Sequence, residues 1–213
     1  MSWETTTIDS EAYSVMMYVS DAGFLQQFSV PLNPIDRSIV QEYSISGKTY
    51  TPKYVHNIKK ANYEIKASYL QTMGNERSLM REFWRLRKRN AKGFYLPSWN
   101  KDYKVVSYVH GTKTVTVKNA FYSQWGGVLN TRYLLIFPNG NIETGSYIFT
   151  RVTDNTDNTL VLQTGDSGIG SSSIIMNLYF VHFVDAPLQI KSEGTHAYST
   201  IEFAFQEDQG DRA

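Results

Sequence analysis

The sequence predicts a mainly β protein carrying one α-helix. Three observations point there. Aromatic residues make up 14% of the 213, with Tyr 15 and Phe 11, and such side chains suit pleated, half-buried surfaces. Short apolar or alternating runs recur along most of the chain, separated by Gly, Pro, Asn and Asp. Only one stretch, 75–90, carries a convincing helical period. At 41% hydrophobic and 19% charged, the chain has the composition to build a core.

The opening MSWETTTIDS is polar and lacks the basic-then-apolar pattern of a signal peptide. Residues 12–19, AYSVMMYV, read as a strand. Residues 25–60 are polar and irregular, with short strand candidates punctuated by Pro31, Pro34, Gly47 and Pro52. In 62–70, Tyr63, Ile65, Ala67 and Tyr69 share one face and Asn62, Glu64, Lys66 and Ser68 the other, which predicts a half-exposed strand.

The helix follows, about 75–90. Asn75 can cap it, and Glu76 sits near the positive end of its dipole. Gly93 is placed to end it with a left-handed turn. Leu79, Met80, Phe83, Trp84 and Leu86 cover one arc of roughly 160°. Arg77, Arg81, Arg85, Lys88, Arg89 and Lys92 take the opposite side. Arg87 falls on the apolar side, where its stem can pack while its head reaches water.

Beyond Gly93 come short strands at 94–97, 103–109, 113–118, 132–137, 146–152 and 159–163. Pro138-Asn139-Gly140-Asn141 signals a tight turn. Strands at this spacing suggest a small barrel or sandwich. A Gly/Ser-rich break, 164–173, precedes two long strands, 174–184 and 199–205, the last alternating Ile201, Phe203 and Phe205 with Glu202, Ala204 and Gln206. The organisation expected is a split one: 1–102 and 181–213 form one host β-domain, and 103–180 is a small β-domain inserted into it.

Charge is uneven. Between Arg77 and Lys92 lie seven cations and one anion, Glu82, a local net of +6. The whole chain carries +1, so the remainder carries −5. An exposed face normally mixes signs, so a single-sign stripe points to an interface with protein; specific nucleic-acid binding is not expected.

No catalytic or cofactor site emerges. The absence of cysteine removes disulfides, thiolate metal sites and a thiol nucleophile. Gly165-Asp166-Ser167-Gly168 matches a serine-protease nucleophile loop, but Ile169 follows where that motif has glycine. It reads as a Gly/Ser turn. His56, His110, His182 and His196 are scattered, with no metal-ligand spacing. No phosphate-cradling glycine motif is present, and no apolar stretch approaches the roughly 20 residues that span a bilayer. Trp125, close to Phe121 and Tyr122, is a sugar-stacking candidate if exposed, which keeps a carbohydrate-binding module as the alternative function.

The run Phe83-Trp84, then Ala91-Lys92-Gly93-Phe94-Tyr95-Leu96-Pro97-Ser98-Trp99-Asn100-Lys101-Asp102-Tyr103, resembles the helix–glycine–aromatic segment of tailed-phage distal tail proteins, found also in gene-transfer-agent particles. Val181-His182-Phe183-Val184-Asp185, Leu188 and Ser199-Thr200-Ile201-Glu202-Phe203 are similar to the way that family closes its sheet. The resemblance implies a tail-tube-type β-sandwich with a flanking helix and a small barrel of oligonucleotide/oligosaccharide-fold type. It implies a hexameric ring of self-copies in the virion tail tip, made in the host cytoplasm. Its implied neighbours are the tail tube protein, the baseplate hub protein and the tape measure protein. It implies no enzyme activity and no cofactor. Arg77, Arg81, Arg85, Lys88 and Arg89 are then interface candidates. So are Tyr50, Tyr54 and His56, in a polar segment (41–60) expected to form a loop or hairpin that reaches a neighbouring ring.

Overall fold

The computed structural model describes residues 2–8, 11–33, 35–40, 62–71, 74–90, 92–118, 132–142, 146–184, 189–192 and 199–207. Among them are thirteen strands and one α-helix, so the mainly β class is borne out. The strands are β1 (Ser2–Ile8), β2 (Glu11–Val19), β3 (Asp36–Val40), β4 (Asn62–Gln71), β5 (Phe94–Pro97), β6 (Lys104–Val109), β7 (Thr114–Lys118), β8 (Tyr133–Phe137), β9 (Ile148–Asn155), β10 (Thr159–Leu162), β11 (Ile174–Phe183), β12 (Gln189–Ser192) and β13 (Ser199–Glu207). The helix, α1, spans Gly74–Asn90.

The strands hydrogen-bond in the order β1-β2-β5-β11-β8-β9-β10-β7-β6, while β13, β4, β3 and β12 branch from β11. All ladders are antiparallel except β2 with β5, which meet in parallel at Val15 and Tyr95. The sheet does not close on itself: β6 and β11 approach through one isolated bridge, Tyr103 to Ile175.

β11 is the hub. Leu178 pairs with Tyr133 of β8 on one edge and Pro97 of β5 on the other. Val181 pairs with Phe94 of β5 and Glu207 of β13. Strand geometry sends alternate side chains to opposite faces. On one face Met176, Leu178 and Phe180 enter a core with Val15, Met17, Val19, Tyr95, Leu135 and Phe137. On the other, Ile175 joins a core with Val105, Val115, Val117, Leu134, Ile136 and Leu160. Further along that face, Tyr179, Val181 and Phe183 join a third core with Met16, Ile65, Tyr69, Phe83, Phe94, Ile201, Phe203 and Phe205. One strand therefore belongs to all three cores.

The alternation expected of the chain's long strands is observed. Ile65, Ala67 and Tyr69 of β4 are buried, as are Ile201, Phe203 and Phe205 of β13. The structure adds β1, in a stretch whose polar reading concealed a strand. It forms a hairpin with β2, and Trp3 packs on Tyr18, Phe28 and Phe83 with ring centroids 4.5–6.3 Å apart. The Tyr147 hydroxyl lies within hydrogen-bonding reach of the Glu4 carboxylate, so the curled sheet brings β1 towards the start of β9.

Two local expectations are corrected. Gly93 does not take a left-handed turn; positive-φ glycines among the described residues are Gly23 and Gly140. Gly93 matters for another reason: a Cβ there would lie 2.3 Å from Phe180 Cζ, in clash with the edge of that ring. Gly140 does make the expected tight turn, at φ 70°, with its N–H bonded to Phe137 O at 3.0 Å. Leu86 was expected on the buried arc of the helix but is 52% exposed.

Candidate interaction surface

The helix is clamped to the sheet through Met80 and Phe83, both buried, with Leu79 and Trp84 half-buried beside them. Phe83 stacks edge-on against Phe94 and Phe183 at 5.1 and 6.2 Å. Arg87 behaves as its angular position predicts. Its guanidinium sits over the Phe83 ring at 5.8 Å, and Nη2 donates to the Ser14 hydroxyl of β2. Partial burial lowers its pKa, yet an arginine stays charged. Asn75 Oδ1 accepts the Glu76 N–H at 3.0 Å in the first turn.

This clamping fixes what the helix shows outwards. Arg77 is half-buried, Arg81, Arg85 and Lys92 are exposed, and no ion pair among the described residues engages them. The side chains of Lys88 and Arg89 lie outside the described residues, as do Tyr50, Tyr54, His56, the 41–60 segment and Trp125. The structure thus brings Arg77, Arg81 and Arg85 into one row and is silent on the other candidates.

The segment 97–103 has a structural task. Ser98 Oγ donates to Asp102 Oδ2 at 2.6 Å. The same oxygen accepts from Asn177 N and Asn177 Nδ2 at 2.7 and 2.9 Å. Tyr103 OH donates to Asn177 Oδ1 at 2.7 Å. Asp102 belongs to an exposed stretch, but its Oδ2 is enclosed by these donors, and burial raises its pKa despite them and the nearby Arg132. Asn177 stands on β11 where one face passes from the Ile175 core to the Val181 core. The cluster ties β5, the approach to β6, and β11 at that junction. Sequence reasoning missed it; the available signal was a single asparagine inside the apolar run IIMNLYFVHF.

The Gly165–Gly168 loop is a turn, as expected. Asp166 Oδ1 accepts the Gly168 N–H at 2.7 Å, and Ile169 anchors the loop in the core. Ser167 is exposed. Among the described residues no three His, Asp or Glu side chains converge as metal ligands. Among the described residues no helix is long and apolar enough to cross a membrane. Compared with known proteins, the chain matches no protein-family model and no curated protein.

Proposed function

We propose that this chain is a structural protein of a phage tail tip, forming a hexameric ring that joins the tail tube to the central hub. The observation that carries the reading is the row Arg77, Arg81, Arg85: single-signed, unpaired among the described residues, and held rigidly by a helix locked to the sheet. Exposed like charges are costly to crowd unless a partner answers them. In this reading 1–102 and 181–213 are the tube-type sandwich with α1 on its flank, and 103–180 is the inserted small barrel. Two packing facts support that division. The fully buried residues of the core under α1 come from Met16–Leu96 and Val181–Phe205, and those of the Val115 core from Tyr103–Ile175, while the third core is shared by both portions. The Tyr103–Ile175 bridge brings the two ends of the β11-β8-β9-β10-β7-β6 path together.

The reading assigns no reaction to the chain. The Asp102, Ser98 and Asn177 groups are spent on one another, which suits a scaffold. Electron microscopy of the purified chain, with its mass in solution, tests the proposal. Rings of six copies are expected. A particle that stays a single copy at every concentration and at low salt would overturn it.

A further inference from the structure

We infer that the outer edge of β6 is a docking site for an extended, acidic segment of a partner protein, which joins the sheet as an added strand. The inference goes beyond the ring reading and does not depend on it.

β6 ends the path β1-β2-β5-β11-β8-β9-β10-β7-β6. One side of it pairs with β7, from Lys104–Lys118 to Val109–Thr114. On the other side the bridge from Tyr103 to Ile175 stands just before the strand begins, and beyond it no strand among the described residues pairs with β6. The chain leading into β11 is a turn there, with Ser173 N–H donating to Gly170 O at 3.0 Å. β6 therefore presents open backbone N–H and C=O groups at ladder spacing, the template on which another strand pairs. The edge is also uncovered. Val106 and Val109 are 59% and 54% exposed, and Lys104 and Ser107 are exposed beside them. Val106 is the bulge residue between the Val105–Val117 and Ser107–Thr116 pairs.

Charge says what kind of strand fits. Lys104 and Lys118 are register partners, so their side chains leave the same face, about 4.5–5.5 Å apart at Cβ. The next pair, Val105 and Val117, is buried, which puts the two lysines on the solvent face. Like charges directly opposite destabilise a ladder. Both lysines are exposed, and no ion pair among the described residues engages either. A lysine and a bulge at an edge ordinarily turn strands away. Lys118 stands on the second strand, however, where guarding the edge requires no charge. The pair is selective: it repels a cationic strand, whereas a strand that sets a carboxylate beside Lys104 relieves the repulsion. Further along, Val106 and Val109 offer a rim on which the newcomer's apolar side chains pack. Main-chain pairing then supplies affinity and the side chains supply specificity. A second copy's β6, KVVSYV, brings another lysine and no acid, so it is a poor occupant.

Three labelled peptides as long as β6 test this against the full chain by fluorescence anisotropy at low salt. One alternates valine with glutamate, one alternates valine with lysine, and the third is the glutamate peptide with its main-chain amides methylated. The glutamate peptide should bind at least about tenfold more tightly than either of the others. Its addition should also slow amide hydrogen exchange along β6. The variant carrying Lys104→Glu with Lys118→Glu should reverse the preference between the two charged peptides. Both side chains are exposed, so its melting curve should match the wild type. Equal binding of the methylated peptide would mean that charge alone acts and no strand is added, which overturns the inference. So would a glutamate peptide that fails to bind, or one whose binding ignores the lysine reversal. Self-association that the reversal abolishes, with no peptide bound, would overturn it too and assign the edge to a second copy.

Discussion

Asp102 gathers three hydrogen bonds on one carboxylate oxygen. Its Oδ2 satisfies both the main-chain and side-chain donors of Asn177, which are buried with that residue. Asp102→Ala removes the acceptor and leaves those donors unpaired, so it should destabilise the fold by about 2–3 kcal/mol in urea denaturation. An unchanged midpoint would show that water replaces the carboxylate. Tyrosines give a pH prediction. Tyr69 is fully buried, its hydroxyl facing Met16 Sδ at 3.6 Å, and burial raises its pKa far above the ordinary 10.0. Burial raises Tyr103 as well. In the unfolded chain these groups ionise near 10. Their contribution is therefore intact below about pH 10 and lost as pH rises above it, because the folded state holds protons the unfolded state has released. Stability should fall steeply on the alkaline side, and Tyr69→Phe should flatten that fall; equal slopes in the two proteins would count against the assignment.

The helix shows what periodicity can and cannot tell. Its angular pattern placed Met80 and Phe83 inside and Arg87 on the packed side, and the structure agrees. Leu86 sat at the margin of the same arc, and the arc alone does not say how far the sheet extends beneath it. Phe83→Ala should cost about 3–5 kcal/mol, while Leu86→Gln should stay within about 0.5 kcal/mol. Thermal melts of the two variants would decide, and comparable losses would mean the helix sits rolled from its described position. β4 and β13 were legible because each has one dry and one wet face. β1 was not, since Thr5, Thr6 and Thr7 read as polar although threonine is a good strand former, and its burial depends on Trp3 reaching a distant core. Gly93 was noticed for the wrong physics: sequence shows a missing side chain but not the Phe180 ring that requires it. The Asp102 and Asn177 pair joins residues 75 apart, a distance at which local pattern carries no information.

At the scale of the molecule, the three cores share β11 and so should melt together. Ile175→Ala, Met176→Ala and Val181→Ala each open a cavity in a different core. Each should lower one common calorimetric transition, by about 2–4 kcal/mol for the larger side chains. A second transition that one substitution spares would mean the lobes unfold independently. The mainly β class, the position of the helix and most strands were readable from the sequence. The way one strand serves three cores was not, because adjacent side chains of β11 point to opposite faces and then to different neighbours along one face.

That sharing limits how the chain can be spliced. Exchanging its middle stretch for a different accessory module at the 180/181 border would cut through a strand that both portions use. A workable graft would start after Tyr103 and stop before Ile174, leaving the Asp102–Asn177 knot in the recipient body.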